Sequence, residues 1–342
     1  MTSHLEIVIQ LAQKCLEAMP VIILGSGASA PYGVAGMQTL KDHLLETITP
    51  STEDVADWKR FEQSLSETND LEKSLQDTSL PSSLISAIVH ETRARVLADD
   101  LNVFEKIITN PRELVLSRLY RHLFNSTHGT LSIVTTNYDR LAEYAADAAR
   151  FPHDTGFSNG YFRFFSTPAT LSSSASNTRT VEIWKVHGSV DWYVNDDHLV
   201  VALPFHQNYP TSLRPLLVTP GTTKYEQTHQ EPFRTIITKA DSALERATSY
   251  LCIGYGFNDI HIQPKLVERV RHQTTPILIL ARTLTNNGRE FLGVCKNSKY
   301  LALEQAGNAT KAYFHEEPDG IELPNTSLWD FPNILDATIG HD

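Results

Sequence analysis

Four short stretches of the sequence carry residue types that can bind a phosphate or transfer a proton, and three of them also contain glycine. They are GSGAS at 25–29, TTNYD at 135–139, HGS at 187–189 and GYGFND at 254–259. Glycine allows a ligand to approach the backbone closely. Histidine changes its charge near neutral pH, and Asn and Asp supply a carboxamide and a carboxylate. These residue types fit diphosphate binding next to acid–base chemistry.

The first stretch follows VIIL at 21–24, four apolar residues that indicate a short buried strand. A glycine loop after such a strand can present backbone N–H groups to a diphosphate at the start of a helix. The alternative is a tight turn that holds no ligand. The residues expected to bind the diphosphate are Gly25, Ser26, Gly27, Ala28 and Ser29.

Two common nucleotide-binding classes do not fit this loop. Gly25, Gly27 and Ala30 satisfy GxGxxA, but a dehydrogenase needs a second strand that ends in an acidic residue about 20 residues later. Asp42 and Glu46 have that spacing, yet both lie in the helical pattern TLKDHLLETI. No GK[ST] follows the loop either. A hydride-transfer enzyme and a P-loop nucleotidase are therefore disfavoured.

The other three stretches also follow predicted strands, namely LSIVTT at 131–136, RTVEIWKVHG at 179–188 and SYLCIGYG at 249–256. In open α/β sheets, ligands bind outside the carboxyl ends of the strands. Each stretch alone has a structural explanation, such as helix capping by Asn or Asp. Four such stretches at four strand ends predict one shared site.

The elements that must position these residues alternate between strand and helix after residue 130. Further strands are predicted at 214–221 and 275–281, and helices at 140–150, 232–247 and 259–271. This alternation predicts an α/β fold, a parallel sheet with helices on both faces. We expect the sheet domain to comprise 1–35 and 126–315, with 36–125 as an inserted helical subdomain and 316–342 as an irregular C-terminal tail.

The net charge, the cysteines and the lack of long apolar stretches disfavour several classes of function. The chain has 342 residues and a net charge of −11, which argues against broad direct binding of nucleic acid. Cys15, Cys252 and Cys295 are far apart and odd in number, which disfavours a disulfide framework and a four-cysteine zinc site. No signal peptide and no membrane-spanning apolar stretch is apparent, so we expect a cytoplasmic protein.

The order of the four motifs resembles that of the sirtuin superfamily. GSGAS is similar to the family's GAGxS phosphate loop, TTNYD to its TQNxD segment and KVHGS to its catalytic His-Gly-Ser. Two features depart from the deacylases of the family. The two CxxC pairs that bind zinc are missing, and YGVAGM at 32–37 stands in place of the GIPxFR segment. GYGFND is similar to the distal motif of zinc-lacking prokaryotic sirtuin-like proteins of anti-phage defence, which hydrolyse NAD.

The resemblance implies a Rossmann-like sheet, NAD as the substrate and no metal. It implies a catalytic role for Asn137, which would orient the ribose or the attacking water, and for His187, which would act as the general base. Asp139 would orient polar groups near the nicotinamide ribose or support its loop. Further NAD-binding residues would be Thr136 and Ser189 near the catalytic residues, and Gly254, Gly256, Asn258 and Asp259 on the adenosine side.

The activity implied is hydrolysis of NAD+ to nicotinamide and ADP-ribose. Such an enzyme is toxic to its host, so it must be held inactive until it is triggered. We expect control by homo-oligomerisation or by a separately encoded activator such as a HerA-type ATPase. Two alternatives remain open. One is an NAD-dependent protein deacylase that lacks zinc, and the other is a non-enzymatic module that senses NAD or ADP-ribose.

Overall fold

A computed structural model describes residues 3–165, 178–204, 210, 212–219, 230–272, 275–295 and 299–341. The helices in this part of the chain are α1 (His4–Glu17), α2 (Ser26–Ser29), α3 (Met37–Thr47), α4 (Val55–Thr68), α5 (Leu71–Asp77), α6 (Ser82–Thr109), α7 (Val115–Leu123), α8 (Leu141–Ala149), α9 (Phe233–Arg246), α10 (Gln263–His272), α11 (Asn286–Val294) and α12 (Phe331–Ile339). The strands are β1 (Val21–Leu24), β2 (Thr130–Thr135), β3 (His153–Asp154), β4 (Arg163–Phe164), β5 (Thr180–Lys185), β6 (Gly188–Val194), β7 (Val200–Ala202), β8 (Arg214–Leu217), β9 (Tyr250–Ile253), β10 (Ile277–Ala281), β11 (Tyr300–Ala306), β12 (Ala309–Phe314) and β13 (Glu317–Pro324).

The centre of the molecule is a nine-stranded sheet in the order β13-β12-β11-β10-β9-β1-β2-β5-β3. The neighbours from β11 to β3 all pair in parallel, which confirms the predicted parallel α/β sheet. The strands β1, β9 and β10 are buried at every position, and their sequences are the continuous apolar runs expected of a sheet covered on both faces.

Helices cover both faces of this sheet. One apolar core joins the sheet to α1, α7, α8 and α12, and a second core joins its other face to α9, α10 and α11. The chain moves from the first face to the second between β5 and β9. The parallel strands that follow β1 in the chain, up to β5, therefore lie on one side of the β1–β9 pair, and those that follow β9 lie on the other side. This pair is the topological switch point, and ligands bind at such points in open α/β folds.

The C-terminal region differs from the prediction. Residues 316–342 were expected to be an irregular tail, but β12 pairs antiparallel with β11, and β13 pairs antiparallel with β12. The helix α12 then packs on α1 and α7. The Pro- and Asp-rich sequence, which is typical of turns, here includes a left-handed glycine within β13, Gly320, and a left-handed residue directly after it, Asn325. This region is part of the sheet domain.

The inserted region is helical, as predicted, and has its own small apolar core. The helices α4 and α5 are separate, because Asn69 adopts a left-handed conformation at the end of α4 and the Asp70 side chain caps the start of α5. The long helix α6 connects this core to the sheet domain. Asp100 of α6 binds Arg140, just before α8, through a side-chain bond of 2.6 Å and a backbone bond of 2.7 Å.

A second sheet, with the order β4-β7-β6-β8, is antiparallel and was not predicted. The stretch 214–221 was expected to be a strand of the main sheet, but Arg214–Leu217 form β8 and pair with β6, while residues 220 and 221 lie outside the described residues. Short apolar runs look alike in either sheet, so their composition does not identify the partner strand. Among the described helices, none combines the length and apolar character needed to cross a membrane.

Candidate active site

The two glycine loops pack backbone against backbone at the switch point. The N–H group of Gly25 donates to the carbonyl of Ile253, and that of Gly27 donates to the carbonyl of Gly254, both at 3.1 Å. A Cβ atom at Gly25 would lie 2.6 Å from Tyr255 Cα, and one at Gly27 would lie 2.7 Å from Gly254 Cα. The glycines are thus required for this close approach, and two of the N–H groups expected to bind the diphosphate are bonded to the β9 loop.

Asn137 connects the end of β2 to the first glycine loop. Its Nδ2 donates to the carbonyl of Gly25 at 2.9 Å and to Ser29 Oγ at 3.1 Å. Its own backbone N–H donates to Thr135 Oγ1 at 3.0 Å. The carboxamide is therefore held at a fixed orientation beside the loop predicted to bind the phosphates.

Asp139 lies deeper, with only 6% of its surface exposed. Its Oδ1 accepts a hydrogen bond of 3.1 Å from the N–H of Leu141, at the start of α8. Burial raises the pKa of Asp139 to about 6, although the Lys185 ammonium nearby acts to lower it. This carboxyl group therefore titrates close to neutral pH.

Lys185 is fully buried at the end of β5 and contacts the loop that follows β2. Its Nζ donates to the backbone carbonyl of Asp139 and lies 3.1 Å from Glu143 Oε1. A buried ammonium is stable only when it is paired in this way. The pairing fixes the end of β5 against the loop that carries Asn137 and Asp139.

His187 lies in the short connection between β5 and β6, so it is held by both sheets. The backbone N–H of Val186 donates to Thr135, and the His187 carbonyl accepts from Val218, at 3.0 and 2.9 Å. Gly188 follows with a φ of +88°, which glycine adopts without strain. The sequence reasoning assigned this glycine to ligand approach, whereas here it permits the turn between the two sheets.

The imidazole of His187 faces a carboxylate from the second glycine loop. Its Nε2 lies 2.8 Å from Asp259 Oδ2, and the two residues are only 8% and 4% exposed. Asp259 Oδ1 accepts backbone N–H bonds from His261 and Ile262 at 2.9 and 3.1 Å. The position expected for Asp259 was the adenosine side of the ligand, but the structure places it against the predicted catalytic base.

The predicted residues surround a cavity of about 140 Å³. Those that line it are Gly25, Ser26, Ser29, Thr136, Asn137, Asp139, His187, Gly256, Asn258 and Asp259. Glu72 of α5 and the aromatic residues Tyr138 and Tyr255 also line it and were not singled out from the sequence. A helical insertion gives no local signal of which turn reaches a site, so Glu72 could not be identified. Tyr138 and Tyr255 lie inside the motifs themselves.

The remaining predicted residues lie elsewhere. Ser189 is fully buried, and its Oγ donates to the carbonyl of Tyr138 at 3.3 Å, so it supports the loop and does not line the cavity. Gly27, Ala28 and Gly254 line a second cavity, of about 590 Å³, on the other side of the glycine contact. The walls of this second cavity include Arg282 after β10, Gln305 of β11, and Trp329 and Phe331 from the C-terminal region.

Cys15, Cys252 and Cys295 are all buried free thiols, as expected of small apolar side chains. Burial raises the pKa of the Cys15 thiol to about 12. Within the described ranges, no group of three or more His, Cys, Asp or Glu side chains is arranged to hold a metal ion.

Comparison with known proteins gives one family match. The model of a SIR2-like domain matches residues 131–283, which is less than half of the chain but includes the TTNYD, HGS and GYGFND motifs. No curated protein matches the chain.

Several solved structures are similar at low sequence identity. A structure described under the mechanism and regulation of Sir2 enzymes has a TM-score of 0.42 and 11% identity, covering 98% of this chain and 97% of its own. Sir2Tm bound to a propionylated peptide has a TM-score of 0.42 and 12% identity, covering 83% and 89%. A Sir2 variant with a deacetylated p53 peptide and 3′-O-acetyl ADP-ribose has a TM-score of 0.44 and 11% identity, covering 98% of both chains.

Proposed function

We propose that the chain is a sirtuin-like NAD+ hydrolase, which cleaves the bond between nicotinamide and ribose to give nicotinamide and ADP-ribose. One observation carries this proposal. A carboxamide, a carboxyl group and an imidazole, from Asn137, Asp139 and His187, line a single small cavity beside the glycine loop at the switch point of the sheet. The match of residues 131–283 to a SIR2-like domain supports NAD as the ligand.

The two cavities suit the two halves of this dinucleotide. A cavity of about 150 Å³ is known to accommodate a benzene-sized ring, so the first cavity, at about 140 Å³, suits the nicotinamide ring. The second cavity is about 590 Å³, within the usual range for small-molecule pockets, and would hold the adenosine half. The diphosphate would then cross the loop at 25–29, which separates the cavities.

The reaction needs a site that tolerates positive charge on the sugar and supplies a nucleophile. As the C–N bond breaks, its electron pair moves to the pyridinium nitrogen, and nicotinamide leaves as a neutral molecule. The ribose acquires oxocarbenium character, which nearby carboxyl and carboxamide groups stabilise. Water adds to C1′ and transfers its proton to His187, which acts as a general base. Asn137 would orient the ribose or that water.

The departures from the deacylase pattern favour water as the nucleophile, because the two CxxC pairs that bind zinc in deacylases are missing from this chain. Met37, Leu40 and Val96 of the insertion line the cavity beside His187, and Met37 is 45% exposed. A SIR2-like domain is equally consistent with deacylation, so the assay must separate the two reactions.

The test measures nicotinamide release from NAD+ by the purified full-length chain, with and without an acetyl-lysine peptide. In the assembly state or activator complex in which the chain is active, we expect release without peptide and a loss of at least about 100-fold in kcat for Asn137→Ala and for His187→Ala, since positioned acid–base groups contribute about 10²–10⁴. Circular dichroism verifies that the variants are folded. Release that requires the peptide would identify a deacylase, and binding of NAD+ without turnover in any assembly state would identify a sensor.

The biological role follows from the resemblance alone. We propose action in anti-phage defence by abortive infection, with the enzyme held inactive until it is assembled into an oligomer or bound by an activator such as a HerA-type ATPase. Activity of the chain with and without the product of its genomic neighbour tests this role. Equal activity of the isolated monomer and of every assembly would contradict it.

A further inference from the structure

We infer that Arg282 makes the second cavity selective for a dinucleotide with a phosphate on the 2′-oxygen of its adenosine ribose, so that NADP+ is bound in preference to NAD+. The inference rests on the proposed function, because it names the substrate of that reaction more closely. The side chains that carry it lie at the second cavity or directly beside it.

The second glycine loop belongs to a strand–helix–strand unit of the kind that binds dinucleotides. The strand β9 ends at Ile253, the loop follows, α10 packs on the sheet, and β10 returns parallel to β9 and ends at Ala281. In such units of about 30 residues, an acid near the end of the second strand binds the ribose 2′-hydroxyl of NAD, whereas an arginine accommodates the 2′-phosphate of NADP. The residue directly after β10 is Arg282.

The alternation of side chains along β11 shows which face of the sheet the guanidinium occupies. Leu301 and Leu303 pack in the core that contains α7 and α12, whereas Ala302 packs in the other core. Gln305 lies two residues after Leu303 in the same strand, so its side chain is on the face of α7 and α12. Its Oε1 accepts a hydrogen bond of 3.3 Å from Arg282 Nε. The guanidinium therefore lies on that face too.

The second cavity lies on the same face of the sheet. Leu116 of α7 lines it, as do Trp329 and Phe331, and all three pack in or against the core on this face. Arg282 and Gln305 also line it. The guanidinium is thus on the side of the sheet that bounds the cavity, at the ends of β10 and β11.

The guanidinium has donors available for a phosphate. Gln305 holds Nε, while in the part of the chain that the structure describes neither Nη1 nor Nη2 has a hydrogen-bond partner and no carboxylate pairs with Arg282. Gln305 is itself held, because its Nε2 donates to the carbonyl of Gly307 at 3.4 Å. A planar guanidinium fixed in this way can donate two parallel hydrogen bonds to a phosphate.

The acids near Arg282 do not neutralise it. Glu304 accepts from Tyr313 Oη at 2.5 Å, and Tyr313 belongs to the core on the opposite face. Asp330 lines the second cavity, but its Oδ2 accepts from Asn333 Nδ2 at 3.1 Å, at the start of α12. Arg282 and Asp330 are the charged residues among the described ones that line this cavity. They favour opposite ligands, since a carboxylate repels a phosphate.

The decisive measurement is equilibrium binding of ADP-ribose and of ADP-ribose 2′-phosphate to the purified full-length chain by calorimetry. Neither ligand contains nicotinamide, so binding is measured without turnover. We expect the wild-type chain to bind the 2′-phosphorylated ligand at least about tenfold more tightly, as for a hydrogen bond to a charged group. In Arg282→Ala its affinity should fall about 10–100-fold, while that of ADP-ribose should change less than about threefold.

Further variants test the chemistry of this contact. Arg282→Lys keeps the charge but loses the planar pair of donors, so it should retain only part of the preference. Arg282→Asp should reverse the preference, because a carboxylate accepts from ribose hydroxyls and repels a phosphate. Asp330→Asn should strengthen binding of the 2′-phosphorylated ligand, since it removes a like charge. Arg271→Ala, at an exposed position of α10 that does not line the cavity, is the matched control.

Three results would overturn the inference. Equal losses for the two ligands in Arg282→Ala would make this residue a contact of the diphosphate that both ligands share. Binding of ADP-ribose by the wild-type chain as tightly as its 2′-phosphate would leave that phosphate without a site. Failure of both ligands to bind would mean that the cavity does not hold the adenosine half.

Nicotinamide release separates this inference from the proposed function. In the active assembly state, kcat/KM should favour NADP+ over NAD+ for the wild-type chain and NAD+ for Arg282→Asp. If the wild-type chain releases nicotinamide from neither dinucleotide under any condition, the proposed function fails, but the binding measurements still decide whether Arg282 selects the 2′-phosphate.

Discussion

At the scale of single residues, Asp139 has a property that stability measurements can detect. Its carboxyl group is buried, and its pKa is raised to about 6 from an ordinary value of 3.8. The folded protein therefore favours the protonated form. The stabilisation that the protonated Asp139 provides is complete below about pH 4 and is lost as the pH rises from about 4 to 6.

The substitution Asp139→Asn removes this titration while it keeps a side chain of similar shape. We expect the free energy of unfolding of the variant, relative to wild type, to rise by about 2–3 kcal/mol between pH 4 and pH 8, from 1.36 kcal/mol per unit of pKa shift. Urea unfolding at several pH values measures it. A constant difference across this range would show that Asp139 does not titrate there in the folded protein.

The sequence identified residue types more reliably than their contacts. Asn137 and His187 could be predicted to share a site, because both follow strands that enter the same sheet edge. The partner of His187 could not be predicted, since the GYGFND motif places Asp259 in a loop but does not show which side of the loop its side chain occupies. Glu72 was missed because it reaches the cavity from a helix whose packing no local pattern encodes.

At the scale of elements, the contact between the two glycine loops determines whether β1 and β9 can end side by side. In Gly25→Ala, the new Cβ would meet the backbone of Tyr255 at 2.6 Å, where no flexible side chain can move aside. We expect a loss of about 1–3 kcal/mol or more in the free energy of unfolding, as for other overpacked sites. Chemical denaturation of the variant measures this loss.

The matched control for this prediction is Gly293→Ala. Gly293 lies in α11, and a Cβ there would meet nothing within 4 Å. Replacing an exposed glycine within a helix by alanine should raise stability by about 0.5–1 kcal/mol. Opposite signs at the two positions are expected, and a neutral effect at Gly25 would mean that the loops can separate at little cost.

Sequence patterns located most elements of the main sheet but not all of their pairings. The buried parallel strands and the helices that follow them have the apolar runs and periodicities that predict such structure. The β11–β12–β13 meander and the smaller antiparallel sheet were not predicted. Strand partners in these cases are selected by contacts between residues distant in sequence, which hydrophobic periodicity does not record.

At the scale of the whole molecule, the helical insertion and the sheet domain are joined by a buried ion pair. Asp100 of α6 is fully buried, and its carboxylate binds Arg140 and also accepts from Tyr144 Oη at 2.7 Å. Burial raises the pKa of Asp100, and the Arg140 guanidinium opposes this effect. Both partners are inaccessible to water, so neither can be rehydrated if the other is removed.

Asp100→Ala should therefore lower the free energy of unfolding by about 3–5 kcal/mol, since it removes one side of a buried ion pair. Hydrogen exchange should increase first in the insertion. Arg60→Ala, which breaks an exposed ion pair with Asp57 in α4, is the control and should cost no more than about 1 kcal/mol. Equal effects of the two variants would show that the Asp100–Arg140 pair does not join the two parts of the molecule.

The pairing of β1 with β9 also affects biosynthesis. Ile23 lies opposite Cys252 in the sheet, so the first glycine loop has no partner until more than two hundred further residues have been added to the chain. A ribosome-bound chain that ends before Gly254 has neither the loop contact nor the carboxylate that faces His187. The growing polypeptide therefore passes through most of its translation without a complete candidate site, and the activity proposed above would arise only late in synthesis.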